Sequence, residues 1–445
     1  MARSPRNPSK PTAPPARGKK PSVRSGPPVR PGAPPKQGAP PRSNPRPPAP
    51  SARPALLAKG DLQVSRATAR FIAEGHPWVR PDRFTVGLGG LKAGAAVTLV
   101  TESGERIASA LADPGAEVCA RVFHTKPDMK FDAASALDRA IARRSELYAA
   151  SDTDCFRVVH GEADHLPGLR VERYGDVYVV VVLATCAAPY VDAVCQRLRE
   201  SFSEASIVVR DHRDDLRRED VRSRLYGGGE LISDATVIGT ELGVSYPLLP
   251  FDGLATGLYV DQRQTRVWLN QQASGARVLN LFAYTGAFSL SLLAAGAASA
   301  IDVDLAGPPL KKAEEAAQLN GLADRHLAVK TDCRAYLEAG REEFDMIIID
   351  PPTAAMGREG WVLRRDYPTV LGLAFARLAP GGLLVACCNT IGGKPYPLRE
   401  AVTDAARKRS LQVKLVDGPS LGLDIPQLKG FPEGRPFRLA AARRT

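Results

Sequence analysis

The rhythm of apolar positions changes twice along this chain. Between residues 60 and 127, short apolar stretches such as Ala96-Val97-Thr98-Leu99-Val100 alternate with Gly and Asp turns. Glu102-Ser103-Gly104-Glu105 has the composition of a hairpin turn, so a small β domain is predicted there. Residues 134–149 carry Leu137, Ile141, Leu147 and Tyr148 at roughly helical spacing. Strands are predicted at 156–159, 169–173, 177–183 and 207–210, with a helix at 190–202 before the last, which makes an α+β middle domain. From Arg277 the pattern becomes strand–helix repeats. Strands at 278–281, 300–303, 327–329, 344–349 and 383–388 alternate with helices beginning near 288, 311, 334 and 367. Such βα units specify a mostly parallel sheet with helices on both faces. Short strands near 412–415 and 437–439 would complete it.

These shifts divide the chain into a tail at 1–56, a β domain at 57–129, a middle domain at 130–244 and an α/β domain at 245–445. Charge sharpens the first boundary. Residues 1–53 contain 12 Lys or Arg, 17 of the 38 prolines and no Asp or Glu. The remaining chain has 48 charges of each sign, so the net +12 belongs to the tail alone. A segment so poor in large apolar residues cannot bury enough surface to fold, although its charge suits contact with RNA phosphates. Apolar runs break well before the ~18 residues that a membrane span needs. Seven cysteines without a CxxC pair fit a reducing cytoplasm and neither a disulfide framework nor a zinc site.

Candidate chemistry collects at the predicted strand ends. Open α/β sheets bind ligands beyond the carboxyl ends of their strands. The first such end, Asn280 to Ser289, lacks a full GxGxxG fingerprint, but Gly286 would let the backbone approach a ligand. The second strand brings Asp302 and Asp304. Asp304 lies nearer the strand end and suits ribose hydroxyls, whereas Asp302 suits a buried role. Asp332 ends the third strand, where it would meet an adenine or cap a helix. Asp350-Pro351-Pro352 follows the fourth strand and Cys387-Cys388-Asn389 the fifth, so one rim receives an acid and two thiols. That layout reads as a group-transfer enzyme with a nucleotide-like cofactor.

These residues resemble a family. Thr256-Gly257-Leu258-Tyr259-Val260-Asp261-Gln262-Arg263, the turn at 280–289, Asp350-Pro351-Pro352 and Cys388 are similar to bacterial S-adenosylmethionine-dependent 23S rRNA methyltransferases. Within that group the chain looks most like the enzymes forming 5-methylcytosine. His160-Gly161-Glu162 through Leu169 and Arg173-Tyr174-Gly175-Asp176 continue the likeness, and His76-Pro77-Trp78 resembles the start of a PUA-like domain. The resemblance spans about residues 60–445 and implies a Rossmann-like methyltransferase sheet behind a PUA-like β domain and an α+β middle domain.

By that resemblance, Asn280, Phe282, Tyr284, Thr285 and Gly286 would shape the S-adenosylmethionine pocket, with Asp304 on the ribose, Asp332 near the adenine and Asp350 between cofactor and base. Cys388 would be the nucleophile, with Asp350 beside it, and no metal is implied. Arg210, Arg213, Arg263 and Lys126 are the RNA-facing candidates, with Arg263 equally suited to a stabilising salt bridge. The partner would be 23S rRNA or a large-subunit precursor, met by a cytoplasmic enzyme, with a homodimer suggested by the family. The chain departs from the family at Thr353-Ala354 and at Cys387-Cys388-Asn389. Those departures keep two alternatives open: N7-guanine methylation and a non-catalytic RNA-binding assembly factor.

Overall fold

The computed structural model describes residues 57–213, 222–229, 235–251, 256–355, 360–389, 395–435 and 437–445. The predicted basic tail lies outside the described residues. The first domain is a five-stranded sheet in the order Asp61–Val64, Ala96–Thr101, Arg106–Ala112, Ala120–His124, Trp78–Val79. Ser65 accepts the Thr68 amide at 3.2 Å and so caps the helix Arg66–Ala73. Leu62, Leu99, Ala108 and Ala110 fill the core of this sheet.

The middle domain sheet runs Arg222–Leu225, Ser206–Asp211, Val177–Val182, Leu169–Tyr174, Cys155–His160. Val177–Val182 is buried at all six positions because both of its faces are covered. Tyr178, Val180 and Val182 pack toward the helices Ala133–Arg143 and Val191–Ser201. Val177, Val179 and Val181 join Val278, Leu290 and Ile348 of the α/β domain in one continuous core. The predicted helix at 134–149 is broken at Arg144, whose side chain is fully buried. Its five N–H groups reach the Asp164 carboxylate twice at 2.7 Å and the carbonyls of Ala140, Arg157 and Asp424. The expected boundary at 244/245 also moves, since it falls inside the hairpin of Val237–Glu241 with Val244–Leu248.

Among the described residues, the main sheet of the α/β domain has seven strands. They are β1 (Arg277–Leu281), β2 (Ser299–Asp304), β3 (His326–Lys330), β4 (Phe344–Ile349), β5 (Leu378–Cys388), β6 (Val413–Val416) and β7 (Arg438–Arg444). Their spatial order is β3-β2-β1-β4-β5-β7-β6. The first five are parallel, and β7 inserts antiparallel between β5 and β6. Strand order reverses at β1 and β4, so the ends of those strands open a crevice above the sheet. None of the described helices is long and apolar enough to cross a membrane.

Candidate active site at the carboxyl rim

The turn leaving β1 is strained. Phe282, Tyr284 and Gly286 have φ of 59°, 53° and 71°, a left-handed region that bulky residues rarely occupy. Asp304 at the tip of β2 holds the turn by accepting the Tyr284 amide at 2.9 Å and the Ala306 amide at 2.8 Å. These bonds use two of the roughly four lone-pair positions of a carboxylate, so acceptor capacity remains for ribose hydroxyls. Thr285 is buried, and its hydroxyl donates to the Gly257 carbonyl at 2.5 Å.

Three expected site residues make defined contacts within the protein here. Asn280 is buried beneath the turn and donates to Asp302 at 2.8 Å, so its side chain belongs to the sheet interior and not to a ligand pocket. Ser289 at 2.5 Å and His326 at 2.7 Å complete the ring around the fully buried Asp302. Gly286 is glycine because a Cβ would collide with the Asp302 carboxylate and crowd Ala313. Asp332 caps the helix Cys333–Ala339 through the Arg334 amide at 2.7 Å and pairs with the Arg334 guanidinium at 2.9 Å. The guanidinium beside it holds its carboxyl below the usual carboxylate range.

At the end of β4, burial and the nearby Asp261 push the Asp350 carboxyl up to about 7. Gln262 Nε2 donates to Asp350 at 3.2 Å and resists that rise. Burial raises Asp261 as well, and the Arg157 guanidinium at 3.7 Å opposes the shift. Arg157 in turn pairs with Glu172 at 2.8 Å, so an ion network from the middle domain backs the acid. Tyr259 stands out at this rim. Its neighbours Leu258 and Val260 are buried, yet its ring is 57% exposed and lies 5.3 Å from that of Tyr284. Its backbone is pinned, with the Leu258 carbonyl accepting from Tyr174 Oη at 3.3 Å and the Tyr259 carbonyl from Arg266 at 3.0 Å.

Extended backbone sends the two thiols to opposite faces of β5. Cys387 joins the core with Val278 and Ile348, and Cys388 joins Leu279, Ile349 and Tyr396. Both are fully buried. Burial pushes Cys388 up to about 11 while Arg438 and Arg364 counteract it; burial and then Asp350 push Cys387 well above the ordinary thiol value. The site therefore contains thiols in their protonated form and an acid poised near neutrality.

Two of the four RNA-facing candidates are interior residues. Arg210 is buried and donates to the Pro250 carbonyl at 2.5 Å. Arg263 is buried in a 2.5 Å ion pair with Asp424. Neither can meet a phosphate without leaving the core. Arg213 is at the surface but pairs with Asp211, and Lys126 is exposed. Gln262, His326 and Asp424 were not singled out from sequence. Gln262 sits inside the motif that carried the family likeness, which was the available signal. Asp424 carried none, because its partners Arg144, Arg157 and Arg263 are more than 150 residues away.

Comparison with known proteins gives the site its context. A family model described as S-adenosylmethionine-dependent methyltransferase matches residues 202–426, and a PUA-like domain matches residues 62–125. A ribosomal RNA large subunit methyltransferase of Deinococcus radiodurans is 32% identical over 365 residues, covering 78% of this chain and 88% of the relative. Ribosomal RNA large subunit methyltransferase I of Shewanella denitrificans is 30% identical over 388 residues, covering 84% and 96%. A solved protein structure from Streptococcus mutans shares the fold, with a TM-score of 0.72 at 21% identity over 86% of this chain and 99% of its own. The chain is thus an enzyme whose cofactor is S-adenosylmethionine, and the left-handed turn, Asp304 and Asp350 are the groups at the rim that fit it. It belongs to the S-adenosylmethionine-dependent methyltransferase family, with a PUA-like domain ahead of its catalytic sheet.

Proposed function

We propose that this enzyme methylates C5 of a cytosine in 23S rRNA, with Cys388 as nucleophile. S-adenosylmethionine supplies an electrophilic methyl group at this rim. Cytosine C5 is too weak a nucleophile to take it unaided. Attack of the Cys388 thiolate on C6 forms a C6–S bond and leaves C5 enamine-like. After C5 gains the methyl, a base takes its proton and the C6–S bond breaks, restoring the ring and the thiol. The observation that carries this reading is the meeting of Asp350, pushed up to about 7, with thiols at the ends of adjacent parallel strands. An acid titrating near neutrality can accept a thiol proton and return it. Both relatives above are named as large-subunit rRNA enzymes, which supports rRNA as the substrate.

A target base must leave its stack to reach such a crevice. The exposed ring of Tyr259 beside Tyr284 offers a stacking surface for it. One observation favours N7-guanine methylation instead: Cys388 is fully buried with its thiol pushed up, a poor state for a nucleophile. Methyl transfer to rRNA from cells lacking the protein, followed by mass identification of the modified nucleoside, separates the two. 5-Methylcytidine from wild type and none from Cys388→Ala supports the covalent route. 7-Methylguanosine from both removes Cys388 from the mechanism. A cytoplasmic homodimer completes the proposal, with the solution mass of the full chain as its test.

A further inference from the structure

Beside the thiol rim lies a cavity of about 600 Å³, within the ~300–1,000 Å³ of ordinary ligand sites. Gln264 and Thr265 of the helix Arg263–Asn270 form one wall. The connection between β6 and β7 forms another, and Phe437 and Leu439 close it at the start of β7. Arg143 and Arg435 also line it, and among the described residues no carboxylate does. Arg435 is exposed, and its guanidinium makes no hydrogen bond or ion pair with any described residue. Arg143 is engaged through one nitrogen only, by Asp164 at 2.6 Å and the Ala163 carbonyl at 3.1 Å.

The position of the cavity is specific. Leu439 is the register partner of Cys387, and its neighbour Arg438 that of Cys388. Thr265 donates to Gln262 at 2.9 Å, and Gln262 holds Asp350. One wall of the cavity is therefore one side chain removed from the acid and one strand removed from the thiols. Its outer wall is preformed. Asp424 is fixed by Arg263 and Arg144, Phe431 packs 4.8 Å from the Trp78 ring, and Gly434 accepts from His160 at 2.9 Å.

We propose that this cavity is a subsite for one nucleotide of the substrate RNA adjacent to the methylated base. The inference rests on the rRNA reading above. Phe437 offers an aromatic side chain to a base, the half-buried Gln264 offers donors and an acceptor to base edges, and the two arginines offer charge to a phosphate. A strand whose target base sits at Asp350 has its next nucleotide within reach of these walls. A free nucleotide shares the chemistry but not this reason for lying beside the reaction centre.

The test uses the full chain and Arg435→Glu, Arg435→Ala, Phe437→Ala and Phe437→Trp. Three quantities are measured: binding to a 23S rRNA fragment, methyl transfer to 23S rRNA from cells lacking the protein, and S-adenosylhomocysteine affinity. Arg435→Glu is expected to raise Kd and KM for RNA about tenfold, with kcat and S-adenosylhomocysteine affinity within twofold. The salt slope of RNA binding should fall by about one. Arg435→Ala should have a smaller effect in the same direction. Phe437→Ala should weaken RNA binding, and Phe437→Trp should restore it. RNA affinity within twofold of wild type in Arg435→Glu overturns the subsite. So does saturation of the cavity by free AMP or CMP at concentrations that leave RNA binding unchanged. Arg435-dependent RNA binding without methyl transfer by wild type would sink the rRNA methylation reading and keep the subsite. Normal methylation by Arg435→Glu would do the reverse.

Discussion

With its carboxyl pushed up to about 7 by burial and by Asp261, Asp350 is half-ionised at neutral pH. If it accepts a proton during turnover, kcat/KM rises with pH through about 7, and Asp350→Asn flattens that limb while lowering the rate by ~10²–10⁴-fold. The stability effect has the opposite sign. A carboxyl raised above its unfolded value of 3.8 is held in its protonated form by the fold, so stability falls as pH rises from about 4 to 7. Asp350→Asn is therefore expected to be strongly slowed yet more stable than wild type at pH 8, by about 1 kcal/mol or more in denaturant titration. Equal or lower stability would mean that the acid is not strained. Tyr259 is tested by the same kinetics. Tyr259→Ala should raise KM for RNA with S-adenosylhomocysteine affinity unchanged, and Tyr259→Phe should behave as wild type, because stacking needs the ring and not the hydroxyl. An equal loss of cofactor affinity in Tyr259→Ala would instead place its role in supporting Tyr284.

Among the elements, legibility followed the side-chain period. The apolar run at 344–349 could be read directly because β4 is buried on both faces and needs no polar alternation. The break at Arg144 was hidden, since apolar spacing continues on both sides of it and Arg is a good helix former. What stops the helix is tertiary: five buried N–H groups find five acceptors only if the chain bends there. Arg144→Met should leave Asp164 without its bidentate partner and destabilise the protein by ~3–5 kcal/mol, read as a shift in denaturant midpoint. Arg144→Met with Asp164→Leu together should recover much of that loss. The misread Arg210 has the same origin. Charge alone marks it as a surface residue and only its acceptor Pro250 shows otherwise, whereas Arg263 takes the salt-bridge role that its sequence context left open, with Asp424. The rim acids were readable because strand ends are positions in sequence, whereas the Asn280–Asp302–His326 ring depends on register across three strands.

For the molecule as a whole, His160 couples pH to the packing of its distant parts. Burial and Arg157 push its imidazole down to about 3. Nε2 lies 2.9 Å from the Gly434 carbonyl and Nδ1 3.1 Å from Arg157 Nη1, so only the neutral Nε2–H tautomer satisfies both. A histidine depressed below its unfolded value contributes stability that is full above about pH 6.5 and lost as pH falls toward 3. The thermal midpoint should drop between pH 6.5 and 5, by the equivalent of about 1–2 kcal/mol, and His160→Gln should flatten that slope. An unchanged slope in His160→Gln would assign the acid sensitivity elsewhere.

The connection between β6 and β7 is continuous in sequence with the catalytic sheet, yet apart from the Asp424–Arg263 pair its described anchors lie in the first two domains. Asp424 bonds to Arg144 and the Arg157 amide, Gly434 to His160, and Phe431 and Glu433 to Trp78 and His76. The enzyme is consequently not modular along its chain. A chimera that exchanges the first two domains with those of a relative must carry residues 417–437 with them, or it inherits mismatched halves of every one of these bonds. Recombination at the apparent boundary would yield protein that folds in pieces and fails to assemble, whereas a graft including that one surface loop should behave as a single enzyme.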